Sequence, residues 1–142
     1  MKFAMIFLLA MVTITGCTSY GNKIDMNGDE IYYTDPVSEE QANKVGEFLT
    51  SYQYFTGQGY AIQVVKDTNF KVRFVTKEGI ENDEEVVGGF KFLQIDMSNA
   101  AFDGQPVDID LCNEKLETKM TITYADAKSF LDKMMQEQGG NQ

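Results

Sequence analysis

The sequence predicts an α+β fold in the order ββα-ββα-ββα, a largely antiparallel sheet with its helices on one face. Apolar and polar residues alternate in six short runs, the period-two signature of half-buried strands. Three longer stretches repeat apolar residues at three- and four-residue spacing, the signature of amphipathic helices. The strand runs also come in pairs closed by turn residues, so neighbours read as hairpins. Hairpin-plus-helix units recur about every 40 residues, which reads as an internal structural repeat. The alternative is the ferredoxin-like split βαβ arrangement, because the second to fifth strands spell βαββαβ.

The first pair covers residues 23–26 and 30–33 around Asn27-Gly28, a hairpin dipeptide. Ile24 and Met26, then Ile31 and Tyr33, set its faces, and Pro36 ends it. Ser38-Glu39-Glu40-Gln41 is a capping box: the Ser oxygen accepts from the third helical amide while the Gln side chain reaches back. The helix behind it runs to about Phe55, with Ala42, Val45, Phe48, Leu49, Tyr52 and Phe55 on one face.

The second pair covers residues 60–66 and 70–76 around Asp67-Thr68-Asn69. Ile62 and Val64 face Phe70, Val72 and Phe74. A helix over residues 82–100 opens on Asp83, Glu84 and Glu85, where the helix dipole favours negative charge. Val86, Phe90, Leu93 and Met97 form its buried stripe. Gly88 and Gly89 in mid-helix each cost about 1 kcal/mol relative to Ala. They read as a close approach of helix to sheet, the alternative being a hinge.

Residues 102–106 make a turn. Val107, Ile109 and Leu111 then alternate with Asp108, Asp110 and Cys112, and a return strand covers residues 116–123. Ala127, Phe130, Leu131 and Met134 mark the third helix, and residues 137–142 read as a disordered tail. One domain over residues 23–136 follows from this order.

Residues 1–16 have a different character. Lys2 precedes an unbroken apolar run over residues 3–12, long enough for a signal peptide and too short to span a bilayer, which needs about 20 residues. Ile14-Thr15-Gly16-Cys17 closes it. This segment resembles the lipobox of bacterial lipoproteins: an aliphatic residue, two small residues and a cysteine. The resemblance implies cleavage between Gly16 and Cys17, diacylglycerol on the Cys17 sulfur and acylation of the new amino terminus. Two or three acyl chains anchor stably where one does not. Thr18 stands where an inner-membrane retention signal would place Asp, so in a diderm host the resemblance implies the outer membrane. Residues 17–22 would be the lipidated cysteine and a short tether.

The full chain carries a formal charge of -10. Loss of Lys2 with residues 1–16 leaves the mature chain one unit more negative. This argues against nucleic acid as a partner, since phosphate must be met by Lys and Arg. There is no histidine and no tryptophan. The commonest general base and zinc ligand are therefore missing, and no cofactor is implied. Cys17 and Cys112 are the two cysteines; lipidation of the first leaves the second without an intrachain partner.

NGDEIYYTDPVSEEQANKVGEFL, VTKEGIENDEE and AFDGQPVDIDLC together resemble a family of small bacterial domains. Its members share an N-G-x-x-[IVL]-Y-Y-T opening, an acidic helix start and an F-[ND]-G-x-P-V-[ED]-[IL]-x-L-C segment. The resemblance implies a shared fold and brings no activity with it. The sequence departs from the pattern at Gly88-Gly89, where bulkier residues recur, and the third helix extends past the shared region.

Three groups could carry chemistry. Asp108 and Asp110 share a strand face, as paired acid–base carboxylates would, yet their alternation with apolar residues also describes a half-solvated strand. Cys112 continues that face, with Lys115 as the nearest cation in sequence. Tyr32, Tyr33, Tyr52, Tyr54 and Phe55 could gather into a binding patch. Asp25 to Asp29 opens like a calcium loop, but Glu30 and Pro36 occupy the positions that need Gly and Glu, so a hairpin turn is preferred. The balance favours a non-catalytic envelope lipoprotein held in the bilayer through acylated Cys17 and binding an envelope protein. The alternatives are an enzyme using Asp108, Asp110 or Cys112, and an inhibitor with an acidic face. Cys17→Ala is expected to abolish metabolic acyl labelling and move the protein to the soluble fraction; an unlabelled wild type in the membrane fraction would contradict the lipobox reading.

Overall fold

The computed structural model describes residues 20–140, so the lipobox-like segment with Gly16 and Cys17 lies outside the described residues. The elements are β1 (Asn22–Met26), β2 (Asp29–Tyr33), α1 (Glu39–Ser51), β3 (Ala61–Lys66), β4 (Phe70–Val75), a 3-10 turn (Ile80–Asn82), α2 (Glu84–Ala101), β5 (Val107–Cys112), β6 (Thr118–Ile122) and α3 (Tyr124–Gly139). The six strands form one sheet in sequential order. The sheet is mixed rather than largely antiparallel. Each hairpin is antiparallel, but β2 pairs with β3 and β4 with β5 in parallel. The cause is the helix between them: a crossover returns the chain to the end where the previous strand began. In the ferredoxin-like alternative another strand would separate those parallel partners, and none does.

All three helices lie on one face. Gly46 of α1 sits over Ile31, Phe90 of α2 stacks on Phe74, and Phe130 of α3 reaches Gly88 of α2. Ile31, Ile62, Phe74 and Leu111 are register partners across four strands and are fully buried, so this face is one continuous apolar floor. Ala42, Val45 and Leu49 of α1 and Val87, Phe90, Leu93 and Met97 of α2 close the core from above.

The topology does not permit the three hairpin–helix units to be copies of one another. β3 and β4 are antiparallel, so β4 runs opposite to β2. Both crossovers advance in the same direction along the sheet, and both helices cover the same face. The β2–α1–β3 and β4–α2–β5 connections therefore have opposite hands, and one is left-handed, against a preference of about 98% for the right-handed form. The middle unit is thus a topological mirror of the outer two. No rotation superimposes it on them.

Local chemistry explains where elements stop. Ser38 Oγ accepts from the Gln41 amide as the capping box requires, but the Gln41 side chain donates to the Ala101 carbonyl instead of reaching back. α1 ends at Ser51, short of Phe55, because Gln53 takes a positive φ of 65°. The Tyr54 and Phe55 amides then both donate to the Leu49 carbonyl, which folds Phe55 under the helix end and buries it. Asp83 caps α2 through the Glu85 and Val86 amides, and Thr123 caps α3 through the Asp126 amide. β6 begins at Thr118 because residues 113–117 form a closed loop: Asn113 Oδ1 accepts from the Lys115 and Glu117 amides, and Leu116 has a positive φ of 58°. α3 continues through Gly139, so residues 137–139 of the expected tail are helical.

The glycine pair in α2 serves a different contact from the one expected. Gly88 is buried against α3, and a Cβ there would lie 3.4 Å from Phe130 Cζ, while Gly89 is exposed with nothing within 4 Å. The close approach to the sheet belongs instead to Gly46, where a Cβ would collide with Met26 Cε and Ile31 Cδ1. Gly46→Ala is expected to lower stability by about 1–3 kcal/mol through overpacking. Gly89→Ala should raise it by about 0.5–1 kcal/mol. Urea unfolding of the two variants checks both signs.

Candidate functional site

The sheet face away from the helices is polar, and the candidate residues of β5 belong to it. Register places Tyr32, Gln63, Arg73, Asp110 and Thr121 in one row across five strands. Asp110 is 3% exposed and fully engaged. Its carboxylate accepts from Thr121 Oγ1 at 2.7 Å and Thr118 Oγ1 at 3.0 Å, and pairs with Arg73 Nε at 3.4 Å. Lys71 Nζ lies 3.9 Å away. Arg73 in turn donates to Gln63 Oε1 at 2.7 Å and to the Leu116 carbonyl at 2.6 Å. A carboxylate that accepts two hydroxyl hydrogen bonds and faces a guanidinium is held in place, which suits fastening strands better than moving protons.

Asp108 does a separate job. Its Oδ1 accepts from the Tyr124 amide at 2.8 Å, at the first turn of α3, where a negative charge is favoured. Cys112 is completely buried, and burial first, then the Asp110 charge, pushes its thiol pKa up. The guanidinium of Arg73 pulls the other way without reversing the shift. The thiol therefore stays protonated and shielded at neutral pH, the reverse of what a nucleophile needs. Asp108, Asp110 and Cys112 do share a face, as their alternation indicates, but each is occupied by structure.

The helix-covered side carries a trough. It opens where β3 begins and β4 and β5 end, between the loop after α1 and the first half of α2. Its larger part has a volume of about 660 Å³ and is bounded by Tyr54, Tyr60, Ile80, Val86 and Phe90, with Gln53, Gln58 and Thr56 on the rim. A second part of about 480 Å³ continues along α2 past Gly89 to Tyr52 and Phe92. The two share Gln53, Tyr54, Val86 and Phe90. Tyr54 is the floor: its ring meets Tyr60 at 5.3 Å, Phe74 edge-on at 5.2 Å and Phe90 at 6.4 Å. Burial drives its phenol pKa far up, so the hydroxyl remains a donor at any ordinary pH. Lys77 and Glu114, at one end, are the charged residues of the lining.

A buried carboxylate builds this trough. Asp29, fully buried at the start of β2, accepts from the amides of Gly57 at 2.8 Å, Gly59 at 3.1 Å and Tyr60 at 2.9 Å. Gly57 and Gly59 have φ of 80° and 85°, the left-handed conformation that turns successive amides inward. The same loop carries Tyr54 and Tyr60 over α2. Only part of the aromatic group expected from sequence assembles here. Tyr52 and Tyr54 line the trough, Phe55 is core, Tyr32 lies on the open sheet face and Tyr33 is half-buried beside the core. Tyr60, Phe90 and Phe92 were not part of that group; they read as strand and helix positions, and the Gly57-x-Gly59 pair was the one local sign of a shaped loop.

The state of Cys112 is directly measurable. In the Cys17→Ala protein, where Cys112 is the one remaining cysteine, a thiol reagent at pH 8 is expected to leave the folded chain essentially unmodified and to react at once in urea. Fast reaction of the folded protein would show an accessible thiolate.

A family model, AF_1994_N, described as a family N-terminal domain, matches residues 23–124. Comparison with curated proteins and with solved structures finds no match. The matched span takes in the whole sheet, α1 and α2, and stops at the first residue of α3. It covers more than two thirds of the chain, which therefore belongs to the AF_1994_N family of N-terminal domains.

Proposed function

We propose that this chain is a lipid-anchored cell-envelope protein acting as a non-catalytic binding module, whose occupant is an extended peptide segment of an envelope protein laid in the aromatic trough. The anchor rests on Ile14-Thr15-Gly16-Cys17 and the apolar run before it. The binding role rests on one observation: the trough is walled by aromatic faces with amide and hydroxyl groups on its rim. Such a lining suits side-chain anchors and main-chain hydrogen bonds. Its two connected parts make a long open channel rather than an enclosed chamber, which favours an extended chain over a compact small molecule.

Two further features support binding over catalysis. Asp108, Asp110 and Cys112, the acids and thiol on which the enzyme alternative depended, lie on the opposite side of the sheet, where Asp110 ties strands, Asp108 meets a helix end and Cys112 is buried. The trough itself offers the side chains of Gln53, Thr56, Gln58 and Thr76 beside its tyrosine hydroxyls as uncharged polar groups. The inhibitor alternative predicts a basic partner matched to acidic helices, and the same experiment distinguishes it.

A photoreactive residue in place of Gln58, on the trough rim, is expected to capture a discrete envelope protein in living cells. A probe in place of Glu47, on the exposed side of α1, should not. Tyr60→Ala should weaken that capture at least tenfold with the circular dichroism spectrum unchanged, as loss of an aromatic anchor does. Capture from Glu47 with none from Gln58 would overturn the trough reading in favour of the acidic helices.

A further inference from the structure

The chain enters the domain across the open face of the sheet. Tyr20 stacks edge-on against Tyr32, with centroids 5.6 Å apart and planes at 73°. Its carbonyl accepts from Gln63 Nε2 at 2.9 Å. Gln63 lies on β3, beyond β2, whereas the strand that follows Tyr20 is β1, on the other side of β2. The chain must therefore fold back over β2 within two residues. Gly21 does this with a φ of 102°, packed so closely on Tyr33 and Thr34 that no side chain would fit. Gln63 is itself held through Oε1 by Arg73, which is tied to Asp110. The entry point is thus fastened to the middle of the sheet, and the tether expected over residues 17–22 is already engaged by Tyr20.

This sets how far the domain can turn relative to its anchor. Cys17 is three residues from Tyr20, a reach of at most about 11 Å at 3.3–3.6 Å per residue. The outer side of the helix layer lies roughly 15 Å or more beyond the sheet, given a helix diameter of about 10–12 Å with side chains. A chain of that reach cannot pass around the domain to bring the helices against the bilayer. Charge acts in the same direction. The three helices carry nine acidic and four basic side chains, whereas the open face carries Asp25, Glu30, Asp108 and Asp110 against Lys23, Lys71 and Arg73. Much of that charge is paired within the face: Lys23 with Glu30 at 2.8 Å and Arg73 with the buried Asp110 at 3.4 Å. An anionic lipid surface repels the helices more strongly than this nearly neutral face.

We infer that the open, polar face of the sheet is a membrane-facing surface whose partner is the lipid headgroup layer, leaving the helix layer and the aromatic trough turned away from the bilayer. The inference rests on the lipoprotein reading of Cys17 and adds to it a fixed orientation. Mature acylated protein is reconstituted into phosphatidylethanolamine–phosphatidylglycerol vesicles containing a headgroup-labelled nitroxide lipid. Fluorescent labels are placed through Lys23→Cys or Val65→Cys on the open face and through Glu47→Cys or Met135→Cys on the helices. Quenching is expected to be at least threefold stronger for the open-face pair. A twelve-residue Gly-Ser insertion between Ser19 and Tyr20 should remove the difference. Lys23 and Glu47 are both exposed, so that pair reports even if a label at Val65 disturbs packing. An acylated, vesicle-bound protein with equal or reversed quenching overturns the orientation and leaves the lipoprotein reading standing. A wild type with no acyl group overturns both.

Discussion

A single buried carboxylate organises the trough side of this molecule. Asp29 stands at the first position of β2 with no solvent contact and satisfies its charge with three backbone amides of the loop that follows α1. A buried charge without such partners would be far too costly, so loop and carboxylate must come together as the fold forms. Beside them the Glu30 amide donates to the Tyr60 carbonyl at 2.8 Å, the bond that starts the parallel pairing of β2 and β3. The interaction thus closes the first crossover, sets the register of the next strand and lays Tyr60 against Tyr54, which meets Phe90. The trough exists because the loop is clamped from below.

The two faces of the sheet divide the work by polarity. Toward the helices it presents an apolar floor continuous from Ile31 to Leu111, and the stability of the domain is concentrated there. Away from them it presents the row from Tyr32 to Thr121, in which Gln63, Arg73, Asp110 and Thr121 are each matched by a neighbour on the next strand. Such a row fastens strands side by side and keeps the face hydrophilic without a large net charge. The helices are far more acidic than this face, with nine acidic against four basic side chains. A domain built this way can lie near lipid on one side while offering an aromatic recess on the other.

α3 packs on α2 through a contact between a glycine and an aromatic ring. The AF_1994_N match ends where α3 begins. Gly88 lies directly under Phe130, the aromatic residue that α3 presents to α2. Lys91 sits over the same ring at 4.8 Å, and Phe92 meets it edge-on at 5.6 Å. The absence of a side chain at Gly88 leaves room for the Phe130 ring. The remaining anchors of α3 are Ala127 in the core and Asp108 at its first turn.

The strands and helices were legible in the sequence because each has its own period. Val107-Asp108-Ile109-Asp110-Leu111 alternates, Asp83 and Ser38 announce helix starts, and Asn27-Gly28 marks a turn; all are short-range chemistry that acts on the chain wherever it lies. The sharing of one face by Asp108, Asp110 and Cys112 was legible for the same reason. Their roles were not, because an alternating pattern does not say which carboxylate will meet Arg73 and which a helix end. The early stop of α1 depended on Gln53 taking a left-handed conformation that its side chain does not demand. The purpose of Gly88 depended on a residue 42 positions later. Parallel pairing, the opposite hands of the two crossovers, the capture of the loop by Asp29 and the folding of Tyr20 back over β2 were decided in three dimensions. Each joins groups far apart in the chain whose contact has no local signature, and the free energy that selects it comes from burial and hydrogen bonding available only once the layers have met.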